Sequence, residues 1–182
     1  MRAAVLIAIM AIAAIILAAV VLRAPGTEMK ISSPVFSDGG QIPAKYTADG
    51  DNISPPLVFE NIPKGTVSLA IIADDPDAPG GTFTHWLIWN LPPTLTSLQE
   101  HIPTVEEVEN LGMARQGKNS FGRIGYSGPS PPPGSLHHYR FTLFALDTTL
   151  NLQAGAGRAE LESAMSGHEL ARATLTGIYQ RS

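Results

Sequence analysis

The sequence predicts a β-rich α+β protein: an antiparallel β-sandwich with one or two peripheral helices, preceded by an N-terminal apolar helix. Three observations lead there. The chain carries 15 prolines and 17 glycines, turn formers spread through most of its length. Between them lie short runs rich in aromatic and β-branched residues, the pattern of buried or half-buried strands. The first stretch differs in kind, because Ala3 to Leu22 holds nothing but Ala, Val, Leu, Ile and Met.

The elements follow in order. Arg2 and Arg23 flank the apolar run, whose length matches the roughly 20 residues needed to cross a bilayer. A cleaved signal has a shorter apolar core, about 7–15 residues, and a small-x-small cleavage site. Leu22-Arg23-Ala24 with Pro25 next is a poor one, so a retained single-pass anchor is favoured over cleavage. Residues 1–23 are thus read as a transmembrane anchor or signal segment, 24–28 as a linker and 29–182 as the domain. The domain is expected outside the cytoplasm, held at the membrane through residues 3–22, or exported if the segment is removed.

Within the domain, Val67 to Ala73, Trp86 to Leu91 and Tyr139 to Leu146 read as strands, and Thr174 to Tyr179 alternates as a further one. Ala159 to Arg172 reads as a helix, with Leu161, Ala164, Met165 and His168 on one face. A second, acidic helix is expected over Thr104 to Leu111.

Composition excludes several functions. There are no cysteines, hence no disulfides and no thiolate metal ligands. A formal charge of −4 without Lys/Arg clusters argues against nucleic acid and against a polybasic attachment to lipid. Any bound anion must be caught locally, in a pocket.

Three strand ends gather the polar groups able to do so. Asp74-Asp75-Pro76-Asp77-Ala78-Pro79 follows the first strand, Thr84-His85 precedes the second, and Gly128-Pro129 with His137-His138-Tyr139 leads into the third. Proline fixes φ, so Asp75 and Asp77 sit on a stiff loop, with Ala78-Pro79 the candidate for a cis bond. Several of these residues also have purely local roles open to them. An Asp beside Pro often caps a turn locally, which suffices for Asp74 and Asp77 taken alone. His101, His138 and His168 read as packed or hydrogen-bonded residues, and Trp86 and Trp89 as core or pocket wall.

Taken in order, these motifs resemble the phosphatidylethanolamine-binding proteins, in the bacterial and archaeal Raf-kinase-inhibitor-like branch. The resemblance spans nearly all of Met29 to Arg181. It includes Ser33-Pro34-Val35-Phe36, Asp51-Asn52-Ile53-Ser54-Pro55-Pro56 and Gly177-Ile178-Tyr179-Gln180-Arg181. It implies a β-sandwich with a small anion pocket lined by Asp75, Asp77, His85, Gly128, Pro129, His137 and Tyr139. The branch often has Cys where this chain has Ser130 and Ala48, and Arg where it has His138, which removes a positive charge beside the pocket.

The expected function is non-enzymatic binding of a phosphate-type anion, with a regulatory or inhibitory role, a kinase or protease as a possible protein partner, and no cofactor or metal. In this reading a carboxylate turns His85 or His137 into a cationic donor, and Tyr139 and the N–H groups around Gly128 add neutral ones. The alternatives are a protease inhibitor acting through a surface loop and a phosphate-ester hydrolase. Against the latter, the chain has no Gly-x-Ser-x-Gly elbow and no His-Glu-x-x-His pattern.

Overall fold

The computed structural model describes residues 28–181. The strands are β1 (Lys30–Ser32), β2 (Gly40–Gln41), β3 (Leu57–Glu60), β4 (Ser68–Asp75), β5 (Phe83–Leu91), β6 (Ser97–Leu98), β7 (Glu107–Val108), β8 (Ala114–Gln116), β9 (Leu136–Leu146) and β10 (Glu169–Gln180). The helix α1 covers Arg158–Met165.

Seven strands form one sheet in the order β2-β10-β9-β4-β5-β8-β7, and β1-β3-β6 form a second. All pairings are antiparallel except β2 with β10. Leu69, Ile71, Trp86, Phe141 and Leu143 of the large sheet share one core with Ile31, Leu57, Phe59 and Leu98 of the small one. On the other face Ala70, Ile72, Leu87, Trp89 and Phe144 pack under Leu161 and Met165 of α1. With both faces covered, β4 is buried at all eight positions, which is why its sequence shows an unbroken apolar run in place of alternation.

The C-terminal helix is shorter than the sequence predicts. It ends at Met165, and Gly167 follows in the left-handed region at φ +82°. Residues 169–172 belong instead to β10, which runs for twelve residues along β9. Ladder pairing overrides the helix propensity of Glu169 to Arg172. The acidic helix over Thr104 to Leu111 is also absent. That stretch holds the edge strand β7, one turn of 3-10 helix over Glu109–Leu111, and Gly112 at φ +68°. Ala78-Pro79 is trans, as are all described peptide bonds.

The membrane location expected from the sequence requires correction. Among the described residues no helix is long and apolar enough to cross a membrane. The apolar helix, anchor and linker expected over residues 1–23 and 24–28 fall almost wholly outside the described residues.

Candidate functional site

Strand parity decides which polar groups meet. On β9, His137 and Tyr139 share the face of core residues Phe141 and Leu143, whereas His138 and Arg140 take the other. On β4, Asp75 follows Leu69, Ile71 and Ala73 on that same face. His85 is the exception. Simple alternation after Leu87 would send it to the helix side. However, Ala73 pairs with Trp86 while Asp74 pairs with Thr84, so His85 is the extra residue of a β-bulge. A bulge re-aims one side chain, and here it brings His85 edge-on to Tyr139, ring centroids 5.2 Å apart.

Asp75, His85, His137 and Tyr139 are therefore gathered in one place, each at most 6 % exposed. His137 donates from Nδ1 to Asp75 Oδ2 at 2.7 Å, and its ring stacks on Tyr139 at 6.5 Å. His85 places Nδ1 2.6 Å from the Ser127 carbonyl. A carbonyl only accepts, so Nδ1 carries the proton and Nε2 is left with its lone pair. Burial pushes the His85 pKa down and outweighs the upward pull of the Ser127 carbonyl and of Asp75. The ring is neutral at pH 7, not the cation expected from a nearby carboxylate, because burial outweighs the pull of that charge. The Tyr139 hydroxyl is buried without a well-formed hydrogen bond. Burial and the charge of Asp75 push its pKa up, so it keeps its proton as a donor.

The remaining expected residues stand apart. Asp77 is 41 % exposed, and its Oδ2 accepts from both the backbone N–H and Nδ1 of His138, at 2.8 and 2.7 Å. Those bonds hold its carboxyl below the usual range. Its link to the site is through its backbone, whose N–H donates to Asp75 Oδ1 at 2.8 Å. The Gly128 N–H is also committed, to Asn52 Oδ1 at 2.7 Å. Glycine is required there because a Cβ would lie 2.4 Å from the Tyr46 carbonyl oxygen. The Pro129 carbonyl accepts from Ala48 N–H at 2.9 Å. Gly128 and Pro129 thus back the site and offer it no free donor.

A cavity of about 330 Å³ opens onto Asp75, His85 and His137, with Phe83, Phe121 and Pro131 among its apolar walls. Arg181 stands at its mouth, 39 % exposed and held by Asp49 Oδ1 at 2.8 Å. Phe83, Phe121 and Arg181 are absent from the expected set. The aromatic strand start at Phe83, beside His85, is the signal that would have found one of them. A larger hollow of about 610 Å³ lies on the helix side around Asp74, Arg140 and Arg158. Its charges are matched to one another. Arg140 bonds both oxygens of Asp74 at 2.8 and 3.0 Å, and Arg158 adds a third bond at 2.7 Å. The smaller cavity is the one with unspent ring nitrogens. Among the described residues no group of three or more His, Asp or Glu side chains is placed to hold a metal ion.

Comparisons with known proteins bear on the family and the fold. The family model for phosphatidylethanolamine-binding protein matches residues 32–180. A UPF0098 protein of Pyrococcus horikoshii is 54% identical over 154 residues, 84% of this chain and 77% of the relative. The crystal structure of a phosphatidylethanolamine-binding protein homologue from Chlamydia trachomatis superposes with a TM-score of 0.78 at 38% identity, covering 86% of this chain and 100% of that one. The E. coli protein YbcL, described as a new member of the mammalian family, superposes at 0.79 with 31% identity, over 85% and 99% of the two chains.

Proposed function

Because the chain belongs to the phosphatidylethanolamine-binding protein family, we propose that its pocket binds a small phosphate-type anion without turning it over, and that occupancy serves a regulatory or inhibitory role. One observation carries the reading. Both histidines spend Nδ1 on fixed acceptors, Ser127 and Asp75, and both rings line one cavity with a cation at its mouth. Each ring then has Nε2 to offer a ligand.

The objection is Asp75. Two like charges about 5 Å apart at an effective dielectric near 20 repel by roughly 3 kcal/mol. Two features lessen this. The Asp75 carboxylate already accepts from His137 and from the Asp77 N–H, and an anion entering beside the rings favours their protonated form. The anion is held by a proton taken up with it, or by its own hydroxyl donated to a neutral Nε2. Tyr139 and Arg181 add donors.

Calorimetric titration of the full chain with inorganic phosphate and with phosphoethanolamine tests this. Saturable binding that falls at least tenfold in His85→Ala is expected. Equal affinity in the variant, or release of p-nitrophenol from p-nitrophenyl phosphate abolished by Asp75→Asn, would overturn it.

A further inference from the structure

Behind the pocket, residues 119–127 form a loop that is not part of any strand ladder, apart from the single bridge between Lys118 and Ile124 at its neck. What shapes it is one carboxamide. Asn119 is 4 % exposed. Its Nδ2 donates to the Gly125 carbonyl and to Ser127 Oγ, both at 2.9 Å. Its Oδ1 accepts from the Phe121 and Arg123 N–H groups at 3.0 and 3.2 Å. An asparagine side chain offers two donor hydrogens and two acceptor lone pairs, so all four are used.

The loop returns to β5 twice, at adjacent residues. Ser120 accepts from the Thr84 N–H at Oγ and donates its own N–H to the Thr84 carbonyl, each at 2.9 Å. Ser127 donates its N–H to the His85 carbonyl at 3.0 Å, and its own carbonyl receives His85 Nδ1 at 2.6 Å. Asn119 thus grips the residue whose carbonyl fixes the His85 proton. It also grips Phe121, which packs edge-on to Phe83 at 4.6 Å and faces His85 at 6.1 Å.

We infer that Asn119 is a positioning residue of the pocket: its carboxamide holds Ser127 by the hydroxyl and Phe121 by the backbone N–H, and so sets both the His85 tautomer and the aromatic wall. What the pocket holds rests on the anion reading above; what Asn119 does to His85 does not. A carboxamide bridge that served stability alone has a counterpart for comparison. Asn90, near the far end of β5, donates to the Leu150 carbonyl at 3.0 Å and accepts from the Leu150 N–H at 2.8 Å.

The test uses the full chain with Asn119→Ala and Asn90→Ala. The imidazole nitrogens are read by ¹⁵N NMR without ligand, and inorganic phosphate affinity by calorimetry. In the unsubstituted protein and in Asn90→Ala, His85 gives the signature of a single tautomer protonated at Nδ1. In Asn119→Ala it gives a mixture, and phosphate affinity drops about tenfold, the scale of one hydrogen bond. If Asn119→Ala fails to fold, Ser127→Ala, which removes only the Oγ acceptor, must move both readouts in the same direction by less. Retention of the Nδ1 tautomer in these variants overturns the inference. Absence of phosphate binding by the unsubstituted protein overturns the anion reading and leaves the NMR arm to decide on Asn119.

Discussion

Asp74 and Asp75 are neighbours in the chain and serve opposite faces of the large sheet. Asp75 is bonded by His137 on the pocket side, while Asp74 is bonded by Arg140 and Arg158 on the helix side. Their substitutions should therefore separate. Breaking a buried ion pair by deleting one partner costs about 3–5 kcal/mol. Here the guanidiniums are 40 and 31 % exposed, so solvent screening reduces this to roughly 1–3 kcal/mol. Asp74→Ala is expected to lower urea stability by that amount and leave phosphate affinity within about twofold. A tenfold affinity loss would show that the two faces are coupled.

Asp75→Asn has the opposite signature. The amide keeps the shape but loses the charge that favours a protonated His137, and that loss is expected to outweigh the relieved repulsion, so phosphate binding should weaken about tenfold. Calorimetry against phosphate, with urea unfolding in parallel, checks both halves.

The strands framing the pocket are legible from sequence because β4, β5 and β9 carry apolar runs that no other element explains. β10 is legible only over Thr174 to Tyr179; its first residues are not, since Glu169 to Arg172 favour helix locally and only pairing to β9 overrides them. Side-chain types at the site are legible, but their roles depend on partners far along the chain. The Gly128 N–H reads as a ligand donor until Asn52, 76 residues away, takes it. The Asp77 carboxylate is claimed by His138, 61 residues away. The bulge that turns His85 inward has no sequence signature, because it is a register mismatch between two ordinary strands.

Acid should destabilise the domain partly through His85. Its folded pKa lies below the ordinary value of about 6.5, so the fold prefers the neutral ring. The stability this contributes is complete above the unfolded value and is lost as pH falls through the folded one. Asp77, also lowered, acts in the same direction at lower pH. Urea midpoints from pH 7.5 downward should therefore fall less steeply in His85→Gln than in the unsubstituted chain. Parallel curves would contradict the assignment of a neutral buried ring.

Gly128→Ala places a methyl group against the backbone at Tyr46 and Thr47. Overpacking of that kind costs about 1–3 kcal/mol, and it should also weaken phosphate binding by displacing the adjoining Ser127 carbonyl. Gly80, whose Cβ position is open and whose φ needs no glycine, is the control. Gly80→Ala should match the parent in both thermal unfolding and affinity.

The most direct measurement follows the ring signals of His85 and His137 by NMR while phosphate is added at pH 6 and at pH 8. Saturable shifts at both rings, with tighter binding at pH 6, are the expected result, because the bound anion brings a proton with it. Shifts confined to the Arg140 and Arg158 face, or rings that remain unmoved at saturating phosphate, would contradict the account.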